Sequence, residues 1–516
     1  MMTGEELKPR KAPGHGQETL EVPVVTWYKD PSLRSLYLRL PILMLCATTN
    51  GYDGSLLNGL QTMETWQNYF GNPTGSTIGL FTAIVNIGGF CALFFSPYVA
   101  DFCGRRLATA IGCVILLVGV IIQAVPTVDR GMFIGGRFLV GFGSNISIGA
   151  APLLIMELAY PQHRGRLTTL YNTLWYVGSI IAAWTVYGTI KYTGNTSWRL
   201  PVALQALMPF IQLLGVFTLP ESPRWLCSKD RGSEALETLA KYHGNGDPNS
   251  MFVQAEFAEI QQTINMEKEM GSHGWLVFFK TRGNRKRLLL IVLTSFFSQC
   301  SGNGLVSYYL HDILSSVGIT DPTDQSLFNG GLQIWSFLVA VIFSVFLVDR
   351  LGRKPLFMIA GVGMLVIFSI WTGCSAVYAQ TGNNGAGKAV LAMIFLFYGV
   401  AGFAWPGLTV SYSSEILPYN IRAKGLALCL GITALSGVLN QYVNPIGLAN
   451  IAWKFYFVYI VILVIEVICI WFIFVETKGP TLEELAYLFD GEEAHVGGKE
   501  FANEKVLEVN HMESVS

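Results

Sequence analysis

The chain has 516 residues, of which 51% are apolar and only 13% charged. A soluble domain carries about a quarter charged residues, so this one has half the charge needed to coat a water-facing surface. Its 34 Lys and Arg against 35 Asp and Glu give a net charge of −1, which excludes the basic face that nucleic-acid binding requires and leaves a membrane protein, rich in the glycine that lets membrane helices approach closely.

Residues 1–39, opening MMTGEELKPRKAPGHGQE, form a polar tail with no cleavable signal-peptide pattern, so the first apolar span must direct insertion. Windows of about 20 apolar residues, each able to cross roughly 30 Å of hydrocarbon, follow at 40–60, 77–99, 107–125, 132–152, 168–189, 200–219, 288–309, 328–348, 356–378, 390–411, 425–443 and 455–474. These predict an all-α membrane protein with twelve transmembrane helices, in two six-helix halves at 40–219 and 288–474. The polar segment between them, 220–287, carries two amphipathic stretches, SEALETLAKYH and SMFVQAEFAEIQQTINMEKEM, each begun by a capping Ser. A tail from 475 to 516 contains TLEELAYLF, with Thr481 and Glu484 spaced as a capping box. The nine cysteines show no C-x-x-C pair and no nearby His cluster, so they read as small buried hydrophobes, and no metal site is expected.

Basic residues orient the chain. With both termini cytosolic, the outer loops hold only Arg130, Lys191, Arg199, Lys388 and Lys454, while Arg105, Arg106, Arg164, Arg166, Arg350, Arg353, Lys354, Arg422 and Lys424 fall on short cytosolic loops, as the positive-inside rule demands. The halves also repeat. DFCGRR at Asp101–Arg106 recurs as DRLGRK at Asp349–Lys354, Glu157 six residues before Arg164 recurs as Glu415 before Arg422, and PESPR recurs as VETKG, at offsets of 248, 258 and 255 residues. Three pairs at one spacing indicate a duplicated unit, with a substrate site expected at mid-membrane between the halves.

A charge in the hydrocarbon costs at least about 2.5–3.5 kcal/mol on insertion scales, which makes each retained one a functional candidate. Asp53 in helix 1 and Arg137 in helix 4 both fall roughly 8–10 Å below the outer surface and are expected to meet there. Together they form a proton switch: desolvation and the guanidinium pull the carboxylate's proton affinity in opposite directions. A static ion pair that fixes helix packing is the alternative. Glu466 in helix 12 is a third embedded charge with no partner assignable from sequence; a packing role, a neutral protonated state and a second proton site are the readings open to it. Asp101 with Arg105 and Arg106, Glu157 with Arg164, Asp349 with Arg353 and Lys354, and Glu415 with Arg422 are expected at inner helix ends as a cytosolic gate, or as topology signals alone.

GYDG in helix 1, the two D-x-x-G-R-R/K motifs, GRFLVGFG, E-x6-R in both halves, PESPRW and ETKG together resemble the sugar porter family of the major facilitator superfamily over residues 35–490. YNTLWYVGSIIAAWT, SQCSGNGLVSYYL and AWPGLTVSYSSEILPYNIRAKG resemble its fungal lactose permease and cellodextrin transporter branch. The resemblance places the family's helix 5 glutamine at Asn172 and its helix 7 Gln-Gln pair at Ser298 and Gln299, with an asparagine shifted by one to Asn303. These exchanges remove side-chain volume, which fits a disaccharide or a repositioned monosaccharide. The family's stacking tryptophan aligns with Val410, and Trp405 lies a turn and a half earlier.

The residues agree in kind, because sugars need neutral amides and hydroxyls beside an aromatic face. Asn172, Gln299, Asn303, Tyr308, Trp405 and Asn440 qualify for binding, or alternatively for hydrogen bonds between helices. On a continuous helix 7, Gln299 and Asn303 share one face.

The expected protein is a transporter and not an enzyme: a plasma-membrane monomer in the lipid bilayer that imports a sugar, a disaccharide such as lactose or cellobiose ahead of a hexose, with a proton. No G-x-x-x-x-G-K-S/T loop occurs, so no cofactor is expected beyond the coupling proton. An uncoupled facilitator, a sugar sensor and an exporter of a glycosylated or polyol-like metabolite are the alternatives. The sequon Asn195-Thr196-Ser197 lies in an outer loop, where glycosylation is permitted.

Overall fold

The computed structural model describes residues 23, 25–125, 127–269, 275–346, 351–478 and 489. Asp349, Arg350 and the Thr481–Glu484 capping box lie outside them. The first half comprises α1 (Pro41–Leu60), α2 (Ser76–Leu93), α3 (Arg105–Ala124), α4 (Arg130–Leu158), α5 (Arg164–Thr189) and α6, made of Thr196–Leu204 and Leu207–Gly215. The second comprises α7, made of Arg282–Cys300 and Asn303–Ser316, then α8 (Pro322–Phe346), α9 (Arg353–Thr381), α10, made of Asn384–Ala401 and Trp405–Glu415, α11 (Tyr419–Ile451) and α12 (Tyr456–Phe472). Among the described residues nine spans are long and apolar enough to cross a membrane, and the last, Lys424–Phe472, runs from within α11 to the end of α12. Helices α1 and α5 are not among the nine, because Thr48, Thr49, Asp53, Ser55 and Asn58 of α1 and Tyr171 and Ser179 of α5 turn polar groups into the bundle. On the outside the pattern inverts: Val461, Trp471 and Phe472 of α12 are exposed, as in a bundle solvated by lipid.

Three helices break where the sequence removes a backbone partner or a Cβ. Helix α6 breaks ahead of Pro209, which has no N–H to donate. Helix α7 breaks at Ser301–Gly302, where Gly302 takes φ +107, a left-handed angle that suits glycine. Helix α10 breaks at 402–404 and restarts with a proline in its first turn.

Close packing inside the first half rests on glycine. A Cβ on Gly51 would lie 1.8 Å from the Trp175 carbonyl oxygen and one on Gly178 1.9 Å from that of Thr48, so α1 and α5 touch backbone to backbone. The run GFGSNISIGA in α4 does the same. A Cβ on Gly141 would meet the Val85 carbonyl at 2.0 Å, and one on Gly143 the Gly112 carbonyl at 2.6 Å.

The halves pack through α2 against α11 and α5 against α8. Helices Gly232–His243 and Met251–Glu269 of the connecting segment mark one end of the bundle, the linker side. At the other end the halves are tied by hydrogen bonds. Asn58 bonds Asn329 at 3.3 Å and accepts from Leu310 N at 3.3 Å, Gln61 donates to Tyr308 O at 2.9 Å, and Gln67 meets His311 at 3.1 Å. The bundle is therefore closed on the side away from the linker.

Candidate functional site

Between the halves lies a cavity of about 370 Å³, within the roughly 300–1,000 Å³ of small-ligand sites. Asn172, Gln299, Asn303, Tyr308 and Trp405 line it together with Trp175, Tyr176, Gln333 and Tyr398, and it extends toward the linker side as far as Thr409, Val410, Leu430 and Thr433. The lining is neutral, built from amides, hydroxyls and rings. The Asn303 carboxamide oxygen is buried there without a protein partner, an acceptor placed for a ligand hydroxyl. The Tyr398 hydroxyl, 2.6 Å from Ser307 Oγ and 2.9 Å from Asn303 O, fixes the wall beside it.

Two expectations change. Because α7 breaks at Ser301–Gly302, Gln299 and Asn303 stand on separate helical segments and reach the cavity from either side of the break, not along one face. Asn440 is absent from the lining. Its amide donates to Gln299 O at 2.8 Å and meets the Tyr459 hydroxyl at 3.2 Å, and its oxygen accepts from Asn444 at 2.8 Å. It joins α11 to α7 and α12, the bonding role that amides take between membrane helices. Gln333, Tyr398, Trp175 and Tyr176 were not selected from sequence, although an amide or a phenol inside an apolar helix is itself the signal for a cavity-facing residue.

Asp53 and Arg137 are both buried but form no ion pair in this structure. Gln205 donates to one carboxylate oxygen of Asp53, and the other has no partner. Arg137 Nε donates to Phe81 O at 2.8 Å, and its guanidinium stands 6.0 Å from the Phe133 ring centre. The direct contact expected from their common depth is not formed here: Gln205, at the α6 break, takes one carboxylate oxygen, and Arg137 Nε is turned to Phe81 O. Neighbouring Gly54 and Ser55 line the cavity, which puts Asp53 one residue behind its wall.

On the linker side the charges pair differently from the expected gate. Glu157 is held by Arg105 at 3.3 Å, not by Arg164, and Arg105 also reaches Asp101 at 3.4 Å. Arg164 bonds Glu256 of the connecting segment at 3.0 Å, and Glu256 bonds His243 at 2.7 Å. In the second half Glu415 is gripped by Arg353 at 2.8 Å, not by Arg422, whose guanidinium caps Leu417 O at 3.2 Å. Each acid thus pairs with the arginine that begins the neighbouring helix of its own half. Arg106 uses its side chain on Phe217 O, at 3.3 Å.

The third repeated motif supplies the partner that sequence reading missed. Glu221 accepts from Arg105 N at 3.0 Å and Arg106 N at 3.2 Å, and Glu476 accepts from Arg353 N at 2.9 Å and Lys354 N at 3.1 Å. Both carboxylates cap a helix N-terminus from more than a hundred residues away, answering its unpaired N–H groups and positive dipole end. The approach requires glycine, since a Cβ on Gly104 would lie 2.5 Å from Glu221 Oε2 and one on Gly352 2.8 Å from Glu476 Oε2.

The family described as sugar (and other) transporter matches residues 40–489. The chain is 30% identical over 441 residues to the MFS-type transporter criB of Aspergillus cristatus, covering 85% of this chain and 90% of that protein. It is 30% identical over 480 residues to a high-affinity glucose transporter of Kluyveromyces lactis, covering 89% and 86%. Among solved structures, the inward open conformation of the xylose transporter XylE from E. coli superposes with a TM-score of 0.73 at 22% identity, over 88% of this chain and all of that one, which fixes the fold. An all-helical multi-pass bundle, a duplicated charge network and these matches agree: the chain is a membrane transporter, not an enzyme, and belongs to the sugar (and other) transporter family, the sugar porters of the major facilitator superfamily.

Proposed function

We propose that the chain imports a sugar together with a proton by alternating access, in the plasma membrane, as a monomer, with its termini and linker in the cytosol and no cofactor besides the coupling ion. The observation that carries the proposal is the neutral, amide- and ring-lined cavity with the free Asn303 oxygen inside it and the half-satisfied Asp53 carboxylate one residue behind its wall. Neutral donors and acceptors suit hydroxyls, and rings suit a C–H face. The shorter Asn172 and Ser298 leave room that favours a disaccharide such as lactose or cellobiose over a hexose. The glucose transporter among the relatives supports a sugar as cargo, and a proton:xylose symporter shares the fold.

Asp53 takes the proton in this scheme, and Arg137, held on Phe81 O within reach of its field, is the cation that answers it. With the linker in the cytosol, the bonds through Asn58, Gln61 and Gln67 close the outer side, so the cavity faces inward. The linker-side pairs of Arg105 with Glu157 and Arg353 with Glu415 each lie within one half, so they brace the inner helix ends of their own half as the halves rock and do not bridge the two. Asn195, in the outer loop, is the glycan acceptor of this arrangement.

Labelled glucose, galactose, xylose, lactose and cellobiose, offered to a transporter-null host at two external pH values with and without a protonophore, test this. Accumulation of a disaccharide that rises at the lower pH and collapses with protonophore is expected. Asp53→Asn should abolish accumulation and spare exchange. Full accumulation by that variant, or uptake indifferent to pH and protonophore, removes the coupling; no uptake of any sugar removes the substrate class.

A further inference from the structure

Glu466 in α12 takes no part in the scheme above, yet among the described residues it is the most enclosed acid of the second half, with 0% of its surface exposed. Three elements meet on it. Ser301, at the break of α7, has its hydroxyl within hydrogen-bond reach of one carboxyl oxygen. Gly361 of α9 faces the other, 3.5 Å from where its Cβ would stand. Trp405, at the restart of α10, lies against the carboxyl. Its indole N–H and Glu466 Oε1 are both buried with no other partner, adjacent without closing a well-formed hydrogen bond. Among the described residues Glu466 has no ion pair, and the other titratable group facing it is Cys469 of its own helix.

One serine proton faces two acceptors at this point, the Glu466 carboxyl and Phe297 O, and the carbonyl also takes Ser301 N at 3.2 Å. Ser301 Oγ carries one proton, and it sits 2.5 Å from Phe297 O, which can only accept. If the serine donates there, its contact with Glu466 closes only when the carboxyl itself donates. A neutral carboxylic acid therefore satisfies the whole chain: the Glu466 O–H gives to Ser301, Ser301 gives to Phe297 O, and the Trp405 N–H gives to the remaining Glu466 oxygen. An anion that took the serine proton would leave Ser301 Oγ and Phe297 O facing each other as acceptors 2.5 Å apart, the carbonyl keeping its bond from Ser301 N.

We infer that Glu466 is a permanently protonated positioning residue that holds Trp405 in the cavity wall and ties it to the α7 break at Ser301–Gly302. It is not a second coupling site. This rests on the reading of the cavity as the sugar site, since Trp405 lines it. A ligand that presses on the Trp405 ring moves its N–H relative to the carboxyl and so acts on the break from which Gln299 and Asn303 reach the same ligand.

The test is sugar counterflow in proteoliposomes, which needs no proton gradient, beside accumulation in cells. Glutamine reproduces the neutral acid, with an N–H₂ for Ser301 and an oxygen for Trp405, so Glu466→Gln is expected within about twofold of wild type in KM, in Vmax and in accumulation. Glu466→Leu orphans the indole N–H and is expected to raise KM by about tenfold with Vmax held. Trp405→Phe keeps a ring and loses the N–H, and adding Glu466→Leu to it should raise KM far less than in wild type.

Glu466→Gln that loses accumulation while exchanging normally, as Asp53→Asn should, overturns the inference by making Glu466 a proton carrier. So does a Glu466→Leu effect undiminished beside Trp405→Phe, with the sugar site left standing. Trp405→Ala without effect on KM for any transported sugar sinks the cavity reading and this inference together. Should the leucine variant fail to reach the membrane, the glutamine variant and Trp405→Phe decide between the first outcome and the expected one.

Discussion

Gly104→Ala isolates the long-range cap. Gly104 sits at φ 91°, ψ 166°, a region essentially reserved for glycine, so a methyl group there costs about 1–3 kcal/mol of backbone strain. The new Cβ would also stand 2.5 Å from Glu221 Oε2 and 3.0 Å from its Cδ, which forces the carboxylate off the helix end. The bonds from Arg105 N and Arg106 N are then lost, and hydrogen bonds to a charged group are worth about 1.5–3 kcal/mol each. Strain plus one such bond is about 2.5–6 kcal/mol, a large part of a typical total stability of about 5–15 kcal/mol. Gly382 supplies the control: φ is +65° with nothing within 4 Å of a Cβ, so Gly382→Ala carries the left-handed cost alone, about 1–2 kcal/mol. Thermal midpoints of the detergent-solubilised, fluorescently tagged protein, read by size exclusion after heating, compare the three. Gly104→Ala and its repeat Gly352→Ala should fall well below Gly382→Ala, and Glu221→Ala should add little on top of Gly104→Ala. Equal losses in all three variants would refute the cap.

Further outcomes follow from other contacts. Gly178→Ala should abolish surface expression, because its Cβ would lie 1.9 Å from the Thr48 carbonyl, whereas Gly188→Ala, with open space, should express normally. Asn58→Ala removes the bonds to Asn329 and Leu310 N and should speed labelling of a cysteine placed at Ser315, in the 400 Å³ recess beside His311 and Asp312, by a membrane-impermeant thiol reagent. Burial lifts the Glu221 carboxyl above its ordinary 4.5, with the backbone N–H bonds opposing. The folded state thus favours the protonated acid: that preference is present in full below about 4.5 and is lost as pH rises through the raised value, above which the ionised carboxylate keeps its N–H bonds. Glu221→Gln should flatten that part of the stability profile, and an unchanged slope would reassign it to another acid.

The helical spans and their duplication are legible because both follow from the count of apolar residues and from spacing alone. Asp53 and Arg137 are findable for the same reason: a charge in an apolar window has few uses. Partner choice is not so readable. The six-residue interval from Glu157 to Arg164 suggests a local pair, but a helix end at Ala159 turns the chain away and sets Glu157 beside Arg105 of α3. Gln205 comes to Asp53 only because Pro209 interrupts α6, and the shared face of Gln299 and Asn303 fails at Gly302, a position where the sequence SGNG did carry a signal.

The two long helices of the connecting segment lie against the first half, while the segment's end, with Phe278 in the second half's core and Arg287 bonded to Ile416 O at 3.1 Å, belongs to the second. Glu256 and His243 bond to Arg164 and Leu158 of the first half, and Tyr242 and Asn245 bond to Arg39 and Asp30 just ahead of it. When the halves rock, those two helices travel with the first and form a lever on it. A partner or modification that seizes those two helices would load a single arm of the rocker, slowing turnover without entering the cavity or touching the residues that line it.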